Sequence, residues 1–466
     1  MKKINLGSNI TKVHFIGIGG ISMSGLAEVL KRDGYTVTGS DNTETAITAH
    51  LQSTGIHIFF PNSADNIAQD VDLVVYTAAI RQNNPEFAAA VQMQKPMLER
   101  AALLGLMLNG YDRAICVAGS HGKTTATMLM AEVLLEGGFD PTISVGGHLA
   151  RTGSNYRVGE SDCFLLESCE YNNSFHHWHP HVGIILNIDA DHLDFFGTFE
   201  NVVAAFVKFA KNIRPGGVLV IHDEAKNKFQ LVGKTNQLNC EKIITFGETG
   251  GRYTPANITY NSMGYPSFDV LDNGKFVIRI NLSMPGRYNM LNALATFAAA
   301  HELGICAETI AQALSNAKGV KRRYEHKGIY NGINIIDDYA HHPTEIIECL
   351  AAARKATEST SGRLVCIFQP HTYTRTRNHF HDFARAFTDA DKVLLLPIYA
   401  AREPFDPSIS SLQLAQEIEK QGKDVLHLND FDSAIKFLQA ELIPGDLLIT
   451  MGAGDVYFVG EGLLKS

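Results

Sequence analysis

Short apolar runs recur along the chain, and each leads into a loop rich in Gly, His, Asp or Thr. A segment with apolar positions at helical spacing follows. That alternation predicts an α/β fold built on parallel strands. The first strand is predicted at Lys12–Ile16, with a helix over Ile21–Arg32 and further strands at Thr36–Gly39, Ile56–Phe60 and Leu73–Thr77. Ala101–Leu108 has the character of a buried helix, and the turn-rich stretch Asn109–Asp112 marks a boundary. A second unit starts with a strand at Ala114–Val117 and a helix over Ala126–Leu135. Its strands continue at Cys163–Glu167, Val182–Ile188 and Gly217–Ile221. Residues 232–285 read as a β-rich flank of short antiparallel strands, one of them Phe276–Leu282, before a helix at Met290–Leu303. Gly319–Arg323 reads as a hinge. The last unit has strands at Ile333–Ile336, Leu364–Phe368, Lys392–Leu396 and Asp446–Thr450, each ending in a polar loop. The expected domains are therefore 1–110, 111–320 and 321–466.

The length agrees, since 466 residues at roughly 150 per domain give three. Apolar residues make up 45% and charged residues 19%, which excludes a disordered chain. Forty Lys and Arg against 49 Asp and Glu leave a net charge of −9. That balance argues against a nucleic-acid binder, though a phosphate site needs only local charge and backbone N–H groups. Seven cysteines without a Cys-x-x-Cys pair make neither a disulfide framework nor a zinc ribbon, and fit a reducing cytoplasm. No apolar run approaches the roughly 20 residues that span a bilayer, so no membrane insertion is expected.

Candidate chemistry concentrates at strand ends. In Ala118–Thr125, Gly119 and Gly122 let the backbone approach a polyphosphate. Ser120, His121 and Thr125 belong to the same loop. Lys123 supplies charge at the terminal phosphates and Thr124 a hydroxyl for magnesium. The spacing is a shortened form of the usual phosphate loop, with Val117 where the first Gly is expected. Glu167 and the loop Asn187–Asp194, which contains His192, offer carboxylates and an imidazole for the metal. The run His176–His181 tempts a zinc reading, but no Cys or carboxylate completes a ligand set there.

Gly17, Gly19, Gly20 and Ser22 nearly match a dinucleotide-binding turn, and Asp41 follows at the end of the second strand. Beside a separate ATP-type loop, this turn reads as a site for a second nucleotide diphosphate. Arg100 is a candidate phosphate ligand or a surface salt-bridge residue. In the last unit, Arg375 and Arg377 suit a carboxylate or phosphate, and His341 or His342 could orient or deprotonate an amine.

Taken in order, GIGGISMSG, GSHGKTTAT, LNIDADHLDFF, PGRYNMLNALA, GVKRRYE, DDYAHHPTE, FQPHTYTRTR and MGAGDV resemble the Mur ligases over essentially the whole chain. The resemblance implies three domains. These are a Rossmann-like N-terminal domain for a UDP-sugar, a central P-loop ATPase-like domain with a β-rich flank, and a Rossmann-like C-terminal domain for an amino acid. It implies ATP and Mg2+ as cofactors, and Thr124, Glu167 and His192 as metal ligands. Asn289 and Asn292 would face the adenine. Arg323, Asp338, Tyr339, His341, Arg375 and Arg377 would lie where the third domain closes on the reacting groups. Lys123, His192, Arg323 and His341 would be catalytic.

The implied reaction joins L-alanine to the lactyl carboxylate of UDP-N-acetylmuramate through an acyl phosphate, in peptidoglycan synthesis. A monomer or weak homodimer is expected. A rival within the family joins a recycled tripeptide to the same UDP-sugar. A nicotinamide-dependent dehydrogenase would use Gly17–Ser22 and Asp41, and leaves the second loop unexplained. The sequence also departs from the family. Cys169 replaces a carboxylate, Thr372 stands where many members carry Arg, and Phe60-Pro61-Asn62 stands where Gly-His is frequent.

Overall fold

The computed structural model describes residues 4–77, 79–149, 151, 154–232, 238–261, 264–319, 321–357, 362–401 and 403–466. Val320 of the predicted hinge lies outside them. The chain forms two compact units. The first is Met1–Thr254 with Asp272–Gly274 and Leu294–Ile310, and the second is Pro255–Leu271, Lys275–Ala293 and Ala311–Ser466.

The first sheet holds β1 (Lys12–Ile16), β2 (Thr36–Ser40), β3 (His57–Phe59), β4 (Leu73–Tyr76) and β5 (Met97–Glu99). Its order is β3-β2-β1-β4-β5, all parallel. Reversal of strand order on either side of β1 opens a crevice at the carboxyl ends of β1 and β4, the usual ligand edge of such sheets. Val13, Phe15, Leu26 and Leu30 are fully buried, so the amphipathic helix Ile21–Arg32 packs its apolar face on the sheet.

The second sheet starts with β6 (Arg113–Ala118), β7 (Thr142–Leu149), β8 (Ser154–Arg157), β9 (Cys163–Glu167), β10 (Val182–Ile185), β11 (Val218–His222) and β12 (Lys242–Phe246). Its order is β12-β11-β10-β6-β9-β7-β8, parallel except for the β7–β8 pair. The order continues beyond β12 with β13 (Tyr253–Tyr260), β14 (Pro266–Asp272) and β15 (Lys275–Asn281). Central strands buried on both faces explain the near-continuous apolar runs of β6 and β10. Three predicted bounds shift by three residues, one of them the helix expected from Met290, which begins at Arg287. β10 stops at Ile185, three residues early, because Asn187 turns its side chain to the loop after β6. The helix expected from Ala126 begins at Lys123, because Gly122 takes φ +80° and caps it.

The N-terminal and middle domains interlock within the first unit. A Cβ at Gly25 would clash with the Tyr156 ring of β8, so only glycine lets the two meet. Arg32 Nη1 donates to the Gly159 carbonyl at 2.9 Å, and Arg214 donates to the carbonyls of Tyr111 and Leu108 at 2.8 and 2.9 Å. The third sheet comprises β16 (Glu325–Tyr330), β17 (Ile333–Asp338), β18 (Leu364–Phe368), β19 (Lys392–Leu395), β20 (Asp424–His427) and β21 (Leu447–Met451). Its order is β16-β17-β21-β18-β19-β20, parallel apart from β16. Among the described residues, no helix is long and apolar enough to cross a membrane.

Candidate active site

Strand β6 delivers the chain into Gly119–Gly122, and the helix Lys123–Glu136 follows at once. Lys123, Thr124 and Thr125 thus form a first helical turn, whose N–H groups have no intrahelical acceptor and suit an anion. The loop is clamped by the segment after β10. Asn187 Oδ1 accepts from His121 N at 2.8 Å, and Asn187 Nδ2 donates to the His121 carbonyl at 3.0 Å. Asp189 N donates to Ser120 Oγ at 2.8 Å. Sequence reasoning grouped Asn187 with the acidic loop and missed this clamping role.

Lys123 Nζ donates to the carbonyls of Gly119 at 2.6 Å and Ser120 at 3.0 Å, and to Glu170 Oε1 at 3.0 Å. Burial alone would lower the Lys123 pKa, but the Glu170 carboxylate outweighs it and raises it, so the ammonium stays charged. Thr124 Oγ1 donates to Glu167 Oε1 at 2.8 Å, and Gly146 N donates to the other oxygen of Glu167. His192, at φ +54°, groups with Glu170 and Asp191, its Nε2 lying 3.7 and 3.6 Å from their carboxylates. Two sets of donors therefore stand here, Thr124 with Glu167 and His192 with Glu170 and Asp191. An oxygen-rich set of this kind fits magnesium. Cys169 is exposed.

In the first domain, Gly17, with φ +77°, starts a tight turn in which Gly20 N donates to the Gly17 carbonyl at 3.1 Å. Asp41 Oδ2 accepts from Gly19 N at 2.8 Å, and Arg100 Nη1 donates to Ser22 Oγ at 3.0 Å. All six predicted residues thus gather at the ends of β1, β2 and β5. Asn62, one of the departures from the family, donates to Ser40 Oγ at 2.7 Å and to the buried Glu86 at 3.2 Å. It braces the residue before Asp41.

In the third domain, the Tyr339 and His341 rings meet edge to face at 5.3 Å, and His341 and His371 at 5.9 Å. Arg375 Nη1 donates to His371 Nδ1 at 3.1 Å, and His371 stacks on Tyr399. A guanidinium can only donate, so His371 carries its proton on Nε2. His341 Nδ1 lies 3.0 Å from the Tyr339 carbonyl, which can only accept, so its lone pair is on Nε2. Burial, with Arg375 nearby, lowers both imidazoles, His371 to about 4. Arg323 lies over the Tyr339 ring at 5.1 Å.

Asp338 is pushed up to about 6 by burial and accepts from Tyr324 N and Ala340 N, both at 2.7 Å. It therefore shapes the bend that carries Arg323. Arg377 does not join the His341–His371 group through any bond of its own. Its Nη1 donates to Asp406 Oδ2 at 2.6 Å. Asn289 donates to the Pro285 carbonyl at 2.7 Å, and Asn292 is buried one turn along the same helix. His371, Tyr399 and Asp406 went unassigned in the sequence reading.

Three family descriptions match the chain in succession: Mur ligase family, catalytic domain over residues 12–112; Mur ligase middle domain over 117–300; and Mur ligase, glutamate ligase domain over 322–454. The chain belongs to the Mur ligase family. This Mur ligase is 46% identical over 467 aligned positions to UDP-N-acetylmuramate–L-alanine ligase of Lachnospira eligens, covering 100% of both chains. The corresponding enzyme of Clostridium novyi is 45% identical with 99% coverage of each. Among solved structures, UDP-N-acetylmuramate-alanine ligase of Thermotoga maritima superposes with a TM-score of 0.78 at 30% identity, covering 97% of this chain and 98% of that one. The three-domain α/β architecture expected from the sequence is the one found.

Proposed function

We propose that this Mur ligase joins L-alanine to the lactyl carboxylate of UDP-N-acetylmuramate, releasing ADP and phosphate, in the cytoplasm. The observation that carries the reading is the loop Gly119–Thr125, in which Lys123 is held charged at the start of a helix beside the Thr124–Glu167 pair. The full-length similarity to enzymes named for this reaction supports it. The first domain, 1–110, would hold the UDP-sugar on Gly17, Gly19, Gly20, Ser22, Asp41 and Arg100. The middle domain, 111–320, would hold ATP, with Asn289 and Asn292 at the adenine. The last, 321–466, would hold the amino acid.

A carboxylate resists attack by an amine, because oxide is a very poor leaving group. A lactyl carboxylate oxygen therefore attacks the γ-phosphorus, the bond to the β-phosphate oxygen breaks, and ADP leaves. Lys123 and Arg323 stabilise charge on the transferred group. Magnesium ions held by Thr124 with Glu167, and by His192 with its neighbouring carboxylates, would neutralise phosphate charge. The alanine nitrogen then attacks the acyl carbon, phosphate leaves, and the amine proton is lost. His341 Nε2 has the lone pair to take that proton, and Tyr339 borders it. Arg375 pairs with the alanine carboxylate. The full-length similarity to two enzymes named for L-alanine, at 46% and 45% identity, favours alanine over a tripeptide.

An ADP-release assay with UDP-N-acetylmuramate and varied amines tests the reading. L-Alanine is expected to be the best amine, with glycine and L-serine slower, because one methylene is worth only about 1–3 kcal/mol. Better use of a murein tripeptide than of alanine would overturn it.

A further inference from the structure

Thr372 adopts a backbone that β-branched residues rarely take. Its φ is +66° and its ψ is 144°, close to a region populated essentially by glycine. Its neighbours hold it there. The Thr372 N–H donates to the Tyr399 carbonyl at 2.8 Å. Its Oγ1 accepts from Arg375 N at 3.3 Å, and its carbonyl accepts from Thr376 Oγ1 at 2.7 Å. His371, one residue earlier, bridges Tyr399 from the same bend.

The consequence of this bend is local and chemical. Residues 371 and 375 are brought to hydrogen-bond distance, with the Arg375 guanidinium against His371 Nδ1 at 3.1 Å and His371 facing His341. Strain of this kind persists only where the surroundings over-determine it, and it concentrates at ligand clamps. The Thr372 hydroxyl oxygen accepts from the backbone N–H of Arg375, which ties it directly to that residue.

We propose that Thr372 is a positioning residue for the amine substrate. Its glycine-like backbone and its hydroxyl cap fix the Arg375 guanidinium in the orientation that receives the amino-acid carboxylate. The proposal rests on the reading of the third domain as the amino-acid site.

Thr372→Gly fits the same φ without strain and gives up the cap, while Thr372→Ser keeps the capping oxygen. A purely structural role would leave the kinetics of Thr372→Gly unchanged or stabilise the protein. The expected result is a KM for alanine raised about fivefold or more in Thr372→Gly, with the KM values for ATP and UDP-N-acetylmuramate unchanged and the Tm not lowered. Thr372→Ser should stay within about twofold of the parent. An alanine KM in Thr372→Gly within twofold of the parent, or a parallel rise in all three KM values, would overturn the proposal. A parent enzyme whose ADP release does not depend on alanine overturns the underlying amino-acid reading, and the proposal with it.

Discussion

Lys123 and Glu170 form a nearly buried ion pair, with Nζ 2.9 Å from Oε2 and side chains 15% and 2% exposed. The lysine that would meet the γ-phosphate is thus held in place by a carboxylate that water barely reaches. Removing one partner of such a pair strands the other charge. Lys123→Ala should therefore lose at least about 100-fold in turnover, as expected for a donor aimed at a transferring group, and should also lower the Tm. The double change Lys123→Ala with Glu170→Gln should recover much of the Tm and none of the turnover. ADP release and thermal unfolding on both variants check this; recovery of turnover in the double variant would remove Lys123 from the chemistry.

Asp41 ties down the turn of the first domain through Gly19 N. A Cβ on Gly19 would lie 2.7 Å from Asp41 Oδ2 and 2.8 Å from Thr48 Cγ2. Gly19→Ala and Asp41→Ala should both loosen this turn. Each should raise the KM for UDP-N-acetylmuramate about tenfold, in line with losing a charge-assisted hydrogen bond, and leave the KM for ATP unchanged. Tight NADH binding by the parent, competitive with the UDP-sugar, would restore the dehydrogenase reading.

The two arginines of the third domain should separate. Arg375 meets His371, whereas Arg377 is paired with Asp406. Arg375→Ala should raise the alanine KM by about 10- to 100-fold through loss of a charged hydrogen-bond partner. Arg377→Ala should change it little. Initial rates with alanine and ATP varied separately distinguish the two, and equal effects would place Arg377 at the carboxylate as well.

His371 should make stability depend on acidity. Burial, then His341 and Arg375, lowers its folded value to about 4, against an ordinary value of about 6.5. Between those values the unfolded chain takes up a proton that the folded chain refuses. Stability from this group is therefore present above about pH 6.5 and lost as pH falls toward 4, by about 1–2 kcal/mol once solvent screening at the part-exposed ring is discounted. His371→Gln should flatten the fall in Tm between pH 7 and 4.5 relative to the parent. An unchanged slope would refute the assignment.

The strands that were legible in the sequence are those whose local pattern has one physical solution. Lys12–Ile16, Cys163–Glu167 and Leu364–Phe368 are uninterrupted runs bounded by glycine or polar residues, and each is a strand at the predicted bounds. Of the bounds that moved, the helix start at Lys123 is set locally by Gly122, whereas the end of β10 depends on a partner from elsewhere in the chain. β10 ends where Asn187 turns to the loop after β6, 66 positions away. The strand–loop–helix over Arg113–Glu136 and the place of Lys123 at its turn were legible because strand, glycine, lysine and helix are adjacent. The pairs that orient the side chains were not. Lys123 meets Glu170 across 47 positions and Arg377 meets Asp406 across 29, and no periodicity encodes such pairs. Thr372 was visible only as a missing arginine, since nothing in its neighbours announces a glycine-like backbone.

The seat of Tyr156 against Gly25 bears on how such a chain can be recombined. Helix Ile21–Arg32 and strand β8 belong to different domains, yet a single hydrogen at position 25 is what admits the ring. A chimera that takes its first 110 residues from a relative with alanine or serine at this place would collide with the tyrosine. It would need a smaller side chain at 156, supplied by the other parent. The N-terminal domain is therefore not a free cassette, and crossovers should be tolerated only when positions 25 and 156 travel together.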